Sequence, residues 1–240
     1  MIEHFVVPLG SELWWYGLLF SALFIALPIA WMRNKPEHVQ VKFGFWLGVF
    51  LLFLSLSIHP YMAFKGNWVL ESSLPLQLCS LSALLSGFIF FYRSQILFEC
   101  LLYWGLAGAI HSILTPEMSL GDDNYLIFEY YAAHAGIILS ALFLAIIHGE
   151  KPRKHSWLKV FGITQIVIII IGTINYALDS NYMYLCKKPA VDNPFVIGDW
   201  PFYVIVLEIV GLAHFFLVYQ GFRLFKHVHT NEGVDQASIS

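Results

Sequence analysis

The run LKVFGITQIVIIIIGTINYAL, from Leu158 to Leu178, carries a single charge, Lys159, at its start. The hydrocarbon core of a bilayer takes roughly 20 apolar residues of helix. Within it every backbone N–H and C=O must be paired inside the segment, as a helix does. The run therefore reads as a membrane-crossing helix. Six other segments share its character: 13–32, 43–63, 74–92, 96–114, 126–148 and 200–221. The 240 residues are 58% hydrophobic, 17% aromatic and only 12% charged, with a mean hydropathy of +0.68. That composition departs from soluble averages toward membrane proteins and leaves no sizeable soluble domain. The expected fold is all-α: one domain over residues 1–226 with seven transmembrane helices. Residues 227–240 are polar and expected to form a disordered cytoplasmic tail.

Glu3 and Glu12, rather than basic residues, flank the first apolar segment, so it reads as a retained span and not a cleaved signal. Orientation follows from the 13 cations. With the N-terminus outside, Arg33, Lys35, Lys42, Arg93, Lys151, Arg153, Lys154, Lys159, Arg223 and Lys226 fall inside, against Lys65, Lys187 and Lys188 outside. This bias predicts N-out, C-in. Net charge is −3, and no basic, aromatic-interleaved surface suggests a nucleic-acid partner. Cys79, Cys100 and Cys186 have neither metal spacing nor a disulfide framework. A Cys79–Cys186 bridge would require the loop after the sixth span to fold back into the bundle.

Polar groups inside a bilayer are costly, so their placement is informative. Counting the helical rise from each segment end puts His59, Cys79, His111, Glu129 and Asn175 roughly 5–8 Å below the outer boundary, with His134 and Glu208 near ~12 Å. Gln165, His214 and Glu99 fall in the inner half, Glu99 close enough to a helix end to snorkel. In the run Leu74-Pro75-Leu76-Gln77-Leu78-Cys79, a thiol lies about one turn inside a helix start, where the helix dipole favours a thiolate. Pro75, Cys79, Ser82 and Ser86 share one helical face, and Tyr130 and His134 share another. A thiol with a nearby imidazole is the minimum for acyl transfer: the histidine takes the proton and the thiolate attacks a carbonyl. His134 is the first choice of base and His111 the reserve. Gln77, Asn175, Tyr176 or Asn181 are candidate oxyanion donors. Each group also has a plain structural use, since membrane histidines commonly bridge helices and free cysteines fill cores.

A resemblance adds to this reading. Leu74-Pro-Leu-Gln-Leu-Cys79, Trp104-Gly-Leu-Ala-Gly108 with Leu114-Thr-Pro116, Glu129-Tyr-Tyr-Ala-Ala-His134, Asn181-Tyr-Met-Tyr-Leu185 with Lys188-Pro189, and Gly198-Asp-Trp-Pro201 resemble the bacterial YwaF-type integral membrane proteins over about residues 40–220. That group is similar to a eukaryotic transmembrane acyltransferase of ether phospholipids, and distantly to androgen-induced lipid hydrolases. The resemblance implies a cysteine nucleophile, Cys79, and a histidine partner, His134. Tyr182 and Trp200 join the candidate binding residues from its motifs. It also implies a bacterial cytoplasmic membrane location and a phospholipid or lysophospholipid partner, with no cofactor or metal.

The resulting expectation is a lipid acyltransferase or hydrolase acting on an outer-leaflet acyl ester. The competing class is a small-solute transporter or sensor using Glu129, Glu208 and the histidines, although no inverted repeat supports it. A zinc hydrolase on His59, His111 and His134 and a haem held between two histidines rank below both.

Overall fold

The computed structural model describes residues 5–118, 120–189 and 195–237. Its helices are α1 (Glu12–Met32), α2 (Glu37–Phe64), α3 (Leu70–Ser73), α4 (Leu78–Phe88), α5 (Gln95–Trp104), α6 (Ile110–Leu114), α7 (Asn124–Ile146), α8 (Ser156–Leu178) and α9 (Phe202–Ala237). A π turn, Gly105–Ala109, joins α5 to α6. The protein is thus all-helical apart from a short antiparallel ribbon of β1 (Phe5–Val6) with β2 (Glu117–Met118). Among the described residues six helical stretches are long and apolar enough to cross a membrane: α1, α2, Gln95–Leu114, α7, α8 and Phe202–Leu224.

The expected third span, 74–92, takes a different form. Residues Leu74 and Gln77 are extended, with ψ of 146° and 147°, and helix begins only at Leu78. Pro75 therefore precedes the helix instead of occupying its first turn. The α4 helix is only 11 residues long, too short to span alone. Helix α9 continues to Ala237, over residues the sequence gives to the tail.

Helix α7 is the hub. Ala132, Ala135, Leu139, Ala141 and Phe143 have no measurable exposure, and α1, α2, α4 and α5 pack around it. Small residues set these approaches, as membrane helices require where no hydrophobic force drives them together. A Cβ at Gly136 would lie 2.3 Å from Leu51 Cδ2, and one at Gly17 2.1 Å from Tyr131 Cζ. Helices α2 and α4 meet backbone to backbone at Gly48 and Gly87, and Ser82 and Ser86 of α4 are buried. Helices α8 and α9 are peripheral and lipid-facing, joined by Gln165 donating to Glu208 and by the Trp157–Phe216 ring contact.

Glu99 does not snorkel. It is wholly buried, and its carboxylate accepts from the Arg153 backbone N–H (2.8 Å), Nε (2.9 Å) and Nη2 (2.6 Å), and from Gln95 (3.1 Å). This bidentate pair locks the start of α5 to the loop before α8.

Candidate functional site

Three local irregularities build one cavity of about 360 Å3. The first is the unwound lead 74–77. Its exposed backbone is tolerable at membrane depth only against protein or a cavity, and the loop after α8 supplies the protein. Tyr182 donates its hydroxyl to Leu70 O (2.5 Å) and accepts from Leu74 N (2.9 Å), while Gln77 Oε1 accepts from Met183 N (2.7 Å). With its side chain so engaged, Gln77 leaves α4 without a side-chain cap. The N–H groups of Leu78, Cys79 and Ser80 then have no protein acceptor among the described residues.

The second is the π turn, a feature common at functional sites. It brings Gly108 beside Cys79, where an added Cβ would sit 3.6 Å from the sulfur. The Cys79 thiol meets Ser112 Oγ at 3.7 Å.

The third is the loop 180–185, where Met183 and Tyr184 adopt positive φ (57° and 53°), unusual for residues with side chains. The loop is held by Asn175, whose Oδ1 accepts from Tyr182 N (2.8 Å) and Ser180 Oγ (2.9 Å), and whose Nδ2 donates to Tyr182 O (2.9 Å). The Tyr203 hydroxyl adds a bond to Tyr184 O (2.6 Å). These restraints aim the Tyr184 ring at the cavity. Burial, reinforced by the Glu117 carboxylate, pushes its phenol up to about 12, so it remains a hydrogen-bond donor at neutral pH.

Cys79, His134, His111, Gln77 and Glu129 all line this cavity, together with His59, Ser112, Glu117, Tyr130 and Tyr184. Among the described residues two carboxylates and three imidazoles face it, and no lysine or arginine does. The tautomers are assignable. His134 Nδ1 lies 2.7 Å from the Tyr130 carbonyl, which only accepts, so Nδ1 carries the proton and Nε2 keeps a lone pair. His214 Nδ1 likewise donates to Val210 O at 2.7 Å. Its Nε2 must then accept from His111 Nε2, 3.0 Å away, which leaves the lone pair of His111 on Nδ1.

Other candidates lie elsewhere. Asn175 and Asn181 are loop braces; Asn181 accepts from Cys186 N (3.0 Å) and Lys187 N (2.9 Å). Tyr182 is a strut. Tyr176 is 92% exposed, Trp200 is exposed and donates to Leu185 O (3.0 Å), and Glu208 bonds Gln165 away from the cavity. His214 is not apart from His111, as depth counting has it, because their rings touch with Phe195 against both. Cys186 is exposed and Cys79 unbridged. His59 accepts from Trp68 Nε1 (3.3 Å), and among the described residues no three His, Cys, Asp or Glu side chains converge as a metal site. Sequence reasoning missed Ser112, Tyr184 and the uncapped amides. The motif Asn181-Tyr-Met-Tyr-Leu185 was the available signal for Tyr184; nothing in the sequence marks the π turn that delivers Ser112.

The fold and cavity define an all-helical polytopic membrane protein with a polar chamber between its helices. The chain belongs to the TMEM164 family, whose model matches residues 6–219. It is also similar to a protein of Treponema pallidum (strain Nichols), described as uncharacterized, at 23% identity over 206 residues, covering 85% of this chain and 76% of that one. No solved structure matches.

Proposed function

We propose that the protein transfers or hydrolyses acyl groups of membrane lipids, with Cys79 as nucleophile and His134 as base. The observation that carries this reading is that the thiol and a histidine with a free Nε2 line one cavity. His134 Nε2 takes the thiol proton, and the thiolate attacks the ester carbonyl carbon. The resulting oxyanion is met by the uncapped amides at the start of α4, which replace the side-chain donors expected from sequence. Collapse expels the lysolipid oxygen, which takes the proton from His134, and leaves a thioester on Cys79. A water or lysophospholipid hydroxyl, deprotonated by His134, then attacks the thioester; the C–S bond breaks, the Cys79 sulfur takes the proton back from His134, and the acid or the new ester is released. The resemblance to a eukaryotic cysteine acyltransferase points the same way.

Seven crossings with N-out, C-in topology belong to this proposal. Between β1 and β2 the chain passes α1, α2, the 74–92 segment and Gln95–Leu114, and the strands pair at one end of the bundle. Return to the same side takes an even number of crossings, which supports counting the short α4 segment as one of them. The 11-residue α4 covers about 16 Å, and the non-helical residues on either side of it would complete the bilayer core. The cation bias then sets N-out.

Purified protein in liposomes should transfer acyl chains between phospholipid and lysophospholipid, or release fatty acid, and Cys79→Ala should abolish this. Full activity in Cys79→Ala would overturn the reading. The transport alternative draws on Glu129, for which no hydrogen-bond or ion-pair partner is found among the described residues. Solute flux that survives Cys79→Ala and is lost in Glu129→Gln would favour it.

A further inference from the structure

At the opposite end of the bundle from the cavity, α8 and α9 enclose a second pocket of about 320 Å3, within the range of ligand sites. Trp157, Phe216 and Tyr219 form its walls, and Lys154, His155, Gln220 and Arg223 supply its polar groups, with no carboxylate in the lining among the described residues. Three further features converge there. Helix α8 begins at this pocket behind His155, which makes no side-chain cap, so the Trp157 N–H has no protein acceptor among the described residues. The Arg223 guanidinium lies over the Tyr219 ring, 5.9 Å from its centre, and donates Nη1 to Gln220 Oε1 (3.5 Å), with no carboxylate partner among the described residues. Arg153, the neighbouring cation, is instead committed to Glu99.

We propose that this pocket binds the phosphate of an anionic phospholipid headgroup. Lys154, Arg223 and the free Trp157 amide would meet phosphate oxygens at a helix N-terminus, where backbone donors and dipole favour an anion. Trp157 and Tyr219 are the amphipathic rings expected at headgroup level. The acyl chains would continue along the lipid-facing surface beside the pocket, where Leu158 and Leu217 are 47% and 64% exposed. That apolar continuation favours a lipid over free phosphate. Cationic pockets between helices commonly hold anionic headgroups on the face where Lys and Arg accumulate. The site is independent of the chemistry at Cys79.

The test uses the full chain in nanodiscs of phosphatidylcholine containing phosphatidylglycerol, with native mass spectrometry counting retained anionic lipid. Arg223→Ala and Lys154→Ala are each expected to weaken retention about fivefold, which corresponds to about 1 kcal/mol per cation at a membrane surface. Arg223→Lys, which keeps the charge, should retain most of it and guards against misfolding as the cause. Arg33→Ala and Lys35→Ala, outside the pocket, should change nothing. Equal losses in both groups of variants, or none in either, would overturn the proposal. Displacement of the lipid by millimolar inorganic phosphate would overturn the lipid assignment.

Discussion

The sulfur of Cys79 lies 3.7 Å from Ser112 Oγ, and Ser112 donates its own hydroxyl proton to Gly108 O at 3.2 Å. A hydroxyl has one proton to give, so the thiol is the donor in this pair. Ser112 therefore parks the thiol proton and is no base. In a Cys186→Ala background, Ser112→Ala should change labelling by a cysteine-reactive lipid probe no more than about fivefold, the scale of one hydrogen bond. Cys79→Ala should remove it. Loss of labelling in Ser112→Ala as complete as in Cys79→Ala would show that the serine does more than hold the proton.

His134 and His111 both line the cavity but differ in what holds them. His134 is fixed by a backbone carbonyl on its own helix, whereas His111 spends its proton on His214. The expected order is a drop in kcat of about 100-fold or more for His134→Gln, the usual scale for a general base, and a loss about tenfold or smaller for His111→Gln. Turnover and KM measured on one lysolipid acceptor would check this. The reverse order would move the base to His111.

Much of this arrangement was legible in the sequence. Apolar length gave six of the helices, since a crossing of α-helix demands about 20 such residues wherever it occurs. Cys79 stands out in the sequence at a helix start, and counting rise along helices puts His134 near its depth; both line the cavity. The count misplaces Glu208, which pairs with Gln165, and His214, whose ring meets His111, because α8, α9 and the Gln95–Leu114 stretch do not start at a common level. The unwound 74–77 lead was hidden for another reason. Leu-Pro-Leu-Gln is as apolar as a helix start, and what straightens it is a contact from a loop more than 100 residues later, Gln77 to Met183. Asn175, Asn181 and Tyr182 looked like site residues because polar groups near a membrane boundary attract that reading. Their hydrogen bonds go to the loop that shapes the site.

Glu99 and Arg153 form an asymmetric pair, the acid fully buried and the arginine side chain 48% exposed. Removing the acid leaves a cation that can reach water. Removing the arginine leaves a carboxylate with no access to it, and an uncompensated buried charge is the costlier defect. Arg153→Ala should therefore lower the melting temperature in detergent more than Glu99→Ala does, and the double variant should recover part of the loss. Equal shifts for both single variants would mean that the carboxylate is hydrated after all.

Gly48 and Gly87 bring α2 and α4 into backbone contact. A Cβ on Gly48 would stand 2.8 Å from Gly87 O, and one on Gly87 2.9 Å from Gly48 O and 2.7 Å from Leu52 Cγ. Carbonyl oxygens in a helix cannot swing aside, so either alanine has to push α4 away from α2. Overpacking of this kind costs about 1–3 kcal/mol. Gly211→Ala is the control, because nothing lies within 4 Å of its Cβ position and alanine is the better helix former by about 1 kcal/mol. Thermal unfolding in detergent should rank Gly211→Ala at or above wild type and Gly87→Ala well below. Cys79 begins the same short helix, so Gly87→Ala should also slow its labelling by the lipid probe. A stable Gly87→Ala protein with an unchanged labelling rate would mean that this contact does not position the thiol.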